Sequence, residues 1–189
     1  MHSRWYEADI ERVIVTEEEI RQKTRELAQR VAADYQSVDN LVLLCLLKGA
    51  VMFMADFSRE LGRYGPPLDL EFMATSSYGQ GATSSGVVRV LKDLDRDISG
   101  RHVLVVEDIV DSGLTLTWLL KYLASHSAAS VEVVSLFRKP AAARSAPPIK
   151  YVGFDIPPEF VVGYGLDYAE RYRELPHVGV LKPEVYTRS

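Results

Sequence analysis

Glu107, Asp108 and Asp111 place three carboxylates within five positions, and Ser112, Gly113 and Thr115 follow directly. Carboxylate oxygens accept hydrogen bonds from vicinal hydroxyls, bind a hard divalent cation and exchange protons. A helix that starts just after Ser112 and Gly113 leaves its first backbone N–H groups without intrahelical partners. Together with the Ser112 and Thr115 hydroxyls these form a cradle for an anion, most naturally a phosphate. An Asp-Ser-Gly turn is also an ordinary helix cap, so the stretch taken alone carries both readings. Two other phosphate loops are excluded: no Gly-x-x-x-x-Gly-Lys-Ser/Thr occurs, and no Gly-x-Gly-x-x-Gly follows a strand.

Such a turn needs rigid elements on both sides. Val103 to Val106 is an unbroken apolar run, the mark of a strand buried on both faces. Leu114 to about Ser125 then sets Leu116, Leu119, Leu120 and Leu123 on the inward side of a helix. Leu41 to Leu47 repeats the buried-strand pattern and stops at Lys48-Gly49, after which Ala50 to Leu61 reads as a helix ended by Gly62. Upstream, Thr16 and Glu19 form a capping box ahead of a helix carrying Ile20, Leu27, Val31 and Tyr35 on one face. Leu68 to Thr75 alternates as a half-exposed strand, and Val87 to Leu91 is the next strand. The small, polar connection Ser76 to Gly86 reads either as a plain hairpin loop or as an active-site lid. Val131 to Phe137 is a strand with Arg138 and Lys139 at its carboxyl end. Tyr151 to Phe154 and Phe160 to Gly163 are shorter apolar pieces, and Val178 to Leu181 is expected to close the sheet.

Strands alternating with helices give an α/β domain with a mostly parallel, twisted sheet flanked by helices. Ligands of such sheets bind beyond the carboxyl ends of the strands. Lys48-Gly49, the Glu107 to Thr115 turn and Arg138-Lys139 are therefore expected around one crevice.

A chain of 189 residues fits a single domain, 1–189, with room for a small added lobe. The 47% apolar and 25% charged content is ordinary for a globular protein, and a net charge of -4 argues against a general nucleic-acid binder. Cys45 is the lone cysteine, inside an apolar run, so no intrachain disulfide or cysteine metal site exists. The first residues lack the apolar core of a signal peptide, and no apolar run approaches the ~18 residues of a membrane span. A soluble, cytoplasmic protein without membrane or nucleic-acid partners is the expectation.

With these elements laid out, Val103 to Thr117 resembles the phosphoribosyl-pyrophosphate motif of type I phosphoribosyltransferases. Its Glu107-Asp108 spelling is similar to that of the hypoxanthine-guanine branch. The resemblance runs from about Val13 to the final strand, with further motifs in the family's order: Leu47-Lys48-Gly49, Ser76-Ser77-Tyr78-Gly79, Ser135 to Lys139, Phe160-Val161, Leu166-Asp167 and Arg173.

That resemblance implies the family's fold, with a small hood lobe from the N-terminal residues and about 150–189, and a mobile lid at about 76–90 containing Ser77 and Tyr78. It implies transfer of 5-phosphoribose from phosphoribosyl pyrophosphate to N9 of hypoxanthine or guanine, giving IMP or GMP and pyrophosphate. Binding of phosphoribosyl pyrophosphate or nucleotide falls to Lys48, Gly49, Glu107, Asp108, Ile109, Asp111, Ser112, Gly113, Leu114, Thr115 and Arg173. Purine recognition falls to Lys139, Phe160, Val161 and Asp167, and proton exchange at purine N7 to Asp111. Mg²⁺ is the implied cofactor, near Glu107, Asp108 and Asp167, and a homodimer or homotetramer is the implied assembly. Leu114 stands where animal members carry lysine and would touch phosphate through its backbone. Ala141 to Arg144 also differs from those members.

Each residue also has a plainer reading. Lys48 alone is a solvated strand-end charge, Lys139 before Pro140 a loop residue, Phe160 a core aromatic, and Asp167 with Arg173 a surface ion pair of small value. Their joint order supports the functional reading. A nucleotide- or phosphoribosyl-pyrophosphate-sensing regulator of the same fold would need a basic face that the charge balance does not offer. A xanthine-preferring transferase stays open.

Overall fold

A computed structural model describes residues 4–77, 88–141 and 146–187. Its centre is a sheet of six strands in the order β4-β3-β2-β5-β6-β7. These strands are β2 (Leu41–Leu47), β3 (Leu68–Ser77), β4 (Val88–Lys92), β5 (His102–Val110), β6 (Ser130–Arg138) and β7 (Tyr151–Asp155). All neighbours run parallel except β3 and β4, which pair antiparallel at one edge.

The apolar runs occupy the middle of this sheet because both of its faces are covered. Leu41, Leu43 and Cys45 of β2 pack with α1 (Glu17–Asp34) and α2 (Val51–Leu61), while Val42, Leu44 and Leu46 join the opposite cluster with α3 (Leu114–Ala124). Period-two alternation along one buried strand thus feeds two cores. Burial lifts the Cys45 thiol to about 12, as expected of a filler residue with no reactive role.

The capping box forms: Thr16 N–H donates to Glu19 Oε2 at 2.8 Å and Glu19 N–H donates to Thr16 Oγ1 at 3.3 Å. Gly62 ends α2 without the left-handed turn that its type suggested. Its φ is -61°, and the chain instead continues through Gly65, whose N–H donates to the Leu61 carbonyl at 2.8 Å.

Val178 to Leu181 does not close the main sheet. As β9 (Val178–Leu181) it pairs antiparallel with β1 (Ile10–Val15) and with β8 (Val161–Val162), making a separate sheet in the order β1-β9-β8. Four apolar residues mark an interior strand but say nothing about which partners it takes. β1 escaped the pattern because Glu11, Arg12 and Val13 are all exposed. β7 belongs to the main sheet, so the second sheet draws its C-terminal strands only from Val161 onward. A short helix, α4 (Pro183–Tyr186), follows β9. Most of the expected lid, including Tyr78, lies outside the described residues. No helix among the described residues is long and apolar enough to cross a membrane.

Candidate functional site

β5 delivers the carboxylates. Its register keeps Val103 to Val106 fully buried, and Glu107, in the last half of the strand, is still 92% covered, while Asp108 is half-buried. Burial, and then the charge of Asp108, pushes the Glu107 carboxyl up to about 8. Burial likewise raises Asp108 to about 6, against the opposing hydrogen bond from Ile109 N–H at 2.7 Å. Both acids are thus harder to ionise than free carboxylates, Glu107 the more so because it is the more deeply buried.

The turn beyond them is not the self-capped end that its sequence also allowed. Gly113 is the N-cap residue of α3, in the left-handed region at φ 74°, and no side chain caps the helix. Ser112 Oγ lies 3.5 Å from Leu114 N, at the limit of a hydrogen bond. The first N–H groups of α3 are left for another acceptor. Glu107, Ile109, Val110 and the run Asp111 to Leu116 line a hollow of 150 Å³ there. Glycine is required at 113, because an added Cβ would overlap Ala146.

A second hollow of 380 Å³ adjoins it. Gly49, Asp108, Ile109, Asp111, Lys139, Phe160, Val161, Leu166, Asp167 and Arg173 line it. Three parallel strand ends and the loop after β8 therefore meet where the topology required. Lys48 lines neither hollow, yet its Nζ lies 2.8 Å from Glu170 Oε2, which ties it to the same loop. The Leu47–Lys48 peptide is cis. Ser77 ends β3, and Tyr78 lies outside the described residues.

Gly49 and Gly165 are close-approach glycines. A Cβ on Gly49 would overlap the Asp108 carboxylate, and one on Gly165, at φ 98°, would overlap the Gly49 carbonyl. The loop between β8 and β9 thus sits directly on the turn after β2, which the glycines permit. Arg173 fastens this contact. Its Nη1 donates to the Gly165 carbonyl at 2.7 Å, and its Nη2 lies 2.9 Å from Asp167 Oδ1 and 3.3 Å from Glu170 Oε1. Arg173 Nε is buried with no hydrogen-bond partner among the described residues, a donor left for an anion.

Lys139 faces Asp111, with Nζ 2.8 Å from Oδ2; the lysine side chain is 13% exposed and the aspartate 53%. Phe160 is 40% exposed, stacks on Tyr186 at 5.0 Å and meets Tyr168 edge-on at 5.8 Å. Tyr186, Gly165 and Glu170 were not picked out from the sequence. The spacing Gly163-x-Gly165 was the available hint for one of them; the other two depend on contacts distant along the chain.

The carboxylates Glu107, Asp108 and Asp167 do not form one metal cage: among the described residues no three acidic, histidine or cysteine groups could hold an ion together. Asp167 is taken up by Arg173 and by the Glu170 N–H at 2.9 Å. A desolvated acidic pair still fits Mg²⁺, which takes one or two carboxylates and completes its shell with water and substrate oxygens. A wider cleft of 660 Å³ opens at the amino ends of the strands, around Asn40, His102, Ser130 and Lys150. Its Arg101 is already held by Asp69 and Asn40, both at 2.5 Å, and it lies opposite the end where such sheets bind ligands.

An anion cradle beside a carboxylate pair, with a lysine and an exposed aromatic across the hollow, suits a phosphorylated sugar and a flat heterocycle. The phosphoribosyl transferase domain family matches residues 14–169. The hypoxanthine-guanine phosphoribosyltransferase of Mycobacterium tuberculosis is 52% identical over 186 residues, covering 96% of this chain and 91% of that protein. A hypoxanthine phosphoribosyltransferase structure from Staphylococcus aureus superposes with a TM-score of 0.92 at 42% identity, over 98% of this chain and 99% of that one. A Trypanosoma cruzi hypoxanthine phosphoribosyl transferase structure, described for the role of its C-terminal region in oligomeric state and activity, gives 0.90 at 46% identity, covering 98% of each chain. Shared along nearly its whole length, fold and sequence together make this chain a member of the phosphoribosyltransferase family.

Proposed function

We propose that this protein is a purine-salvage enzyme that moves 5-phosphoribose from phosphoribosyl pyrophosphate to N9 of hypoxanthine or guanine, forming IMP or GMP. The carrying observation is the convergence of the uncapped α3 start, the Glu107-Asp108 pair, Lys139 and Phe160 on two adjoining hollows.

In this reading Ser112 to Thr115 hold the 5′-phosphate on the free N–H groups of α3, with Leu114 contributing its backbone. Glu107 and Asp108 accept from the ribose diol. They are also the residues that would hold Mg²⁺, which when bound supplies positive charge to the pyrophosphate. The C1′–O bond to pyrophosphate breaks, its electron pair leaving with the pyrophosphate, while N9 of the base closes on C1′. Lys48 and Arg173 bind the departing anion, where charge grows in the transition state. The N7 proton of the base passes to Asp111, whose carboxylate Lys139 already orients. Lys139 donates to the C6 oxygen of the purine. An ammonium has only donors, so the amino group of adenine finds no acceptor there. Phe160 offers a face to the ring, and Val161 and Asp167 meet its far edge.

Pyrophosphate release measured against hypoxanthine, guanine, xanthine and adenine, with and without Mg²⁺, tests the reading. Turnover of the first two with Mg²⁺ and little with adenine is expected; xanthine as the best substrate would shift the assignment, and no turnover with any base would end it. Assembly as a homodimer or homotetramer is part of the proposal and is read by sedimentation. A cytoplasmic location is also part of it.

A further inference from the structure

Both cations assigned to pyrophosphate are already answered by one carboxylate of this chain. Glu170 Oε2 lies 2.8 Å from Lys48 Nζ, and Glu170 Oε1 lies 3.3 Å from Arg173 Nη2. Two oxygens of one acid span two cations from different elements, as two oxygens of a phosphoryl group would.

The carboxylate is delivered by a braced turn, so the ion pairs do not have to create it. Ala169, Glu170 and Tyr172 adopt left-handed backbone at φ 51°, 63° and 78°, which residues with a Cβ avoid unless their surroundings impose it. The surroundings are on hand. Glu170 N–H donates to Asp167 Oδ2 at 2.9 Å, and Tyr172 OH donates to Asp9 Oδ2 at 2.9 Å. The Tyr172 ring stacks on Trp5 at 5.2 Å, with the Arg171 guanidinium 5.0 Å above Trp5. None of these contacts uses Lys48.

We propose that Glu170 is a built-in surrogate for pyrophosphate: it occupies Lys48 and Arg173 in the unliganded enzyme and must be displaced when the diphosphate arrives. This rests on the reading of Lys48 and Arg173 as pyrophosphate ligands. Its consequence is a weakened grip on phosphoribosyl pyrophosphate and on product pyrophosphate, and easier product departure. A residue serving only to hold the loop predicts the reverse, since its loss would loosen the site.

The test is calorimetric titration of pyrophosphate, in buffer containing Mg²⁺, into wild type and Glu170→Gln, which keeps the size and drops the charge. Both partners of the Lys48 pair are about two-thirds exposed. A surface pair of that kind supports about a two- to fivefold tightening, with a parallel fall in KM for phosphoribosyl pyrophosphate. Glu170→Asp, one methylene short but still charged, should fall between the two. In a Lys48→Met background the same Gln substitution should tighten binding less. Equal or weaker pyrophosphate binding by both Glu170 variants overturns the surrogate role. Wild-type turnover of hypoxanthine, assayed alongside, separates the failures: turnover without tightening sinks only the role of Glu170, whereas no turnover removes the site reading and this proposal with it.

Discussion

The two walls of the crevice are made by different means. One is local: β5, the Asp111 to Gly113 turn and α3 follow one another without interruption, and their inward residues are fully buried aliphatics. The other, from Phe160 to Arg173, is assembled from remote parts. Tyr164 OH donates to Asp56 on α2 at 2.7 Å, Tyr172 OH reaches back to Asp9, and Tyr186 supports Phe160 from α4. In the proposed function the first wall carries the phosphate, the ribose and the proton transfer, which tolerate little displacement. On the same proposal the second carries base recognition and the diphosphate, and its shape is a sum of distant contacts, several of them polar. Contiguous aliphatic packing thus supports the proposed chemistry, and long-range contacts support the proposed recognition.

Four measurements sharpen or break this division. The largest effect is expected from Asp111→Asn on the first wall: kcat should fall by about 10²–10⁴, while pyrophosphate affinity moves less than about twofold. Unchanged turnover would take the proton transfer off that wall. Lys139→Gln comes next. Loss of a charged donor should lower kcat/KM for hypoxanthine by about 10- to 100-fold, and the amide oxygen should raise the relative use of adenine. If adenine gains nothing, base choice lies elsewhere.

Gly165→Ala probes the join between the walls. A Cβ there meets both a left-handed φ and the Gly49 carbonyl, so urea unfolding should show a loss of about 1–3 kcal/mol, with a raised KM for phosphoribosyl pyrophosphate. A substitution without cost would mean that the walls do not press on each other.

The smallest effect is a pH dependence of the first wall. Glu107 near 8 and Asp108 near 6 both lie above the ordinary carboxylate value of about 4 in an unfolded chain. The folded state keeps protons that the unfolded chain has released. Stability from this pair is present below about pH 4 and is lost as the pH climbs through 6 to 8. Without divalent ions, wild type should therefore lose Tm relative to Glu107→Gln between pH 5 and 8. Parallel profiles would show the acids to be better solvated than their burial indicates.

The contrast also explains what could be read from sequence. Buried runs such as residues 41–46 and Val103–Val106 declare themselves, because a strand covered on both faces has no polar positions. The Asp111 to Thr115 turn is contiguous, so its residues were all in view. On the second wall, Asp167 and Arg173 were named through resemblance, yet the acid between them, Glu170, was not, since its two cationic partners become neighbours only through the fold. β1 was hidden by its exposed middle, and β9 was assigned to the wrong sheet because an apolar tetrapeptide carries no record of its partner. The packing of Phe160 on Tyr186 likewise joins segments that no local pattern connects.

The pairing of β1 with β9 has a consequence for the order in which the protein is made. Ile10–Val15 is synthesised well before the strand it pairs with, Val178–Leu181. β2, β3, β5 and β6 have all their sheet partners once Asp155 has been added. A nascent chain can therefore complete the wall built on β5 while β1 still waits for its partner, and the wall that runs from Phe160 to Arg173 forms after it.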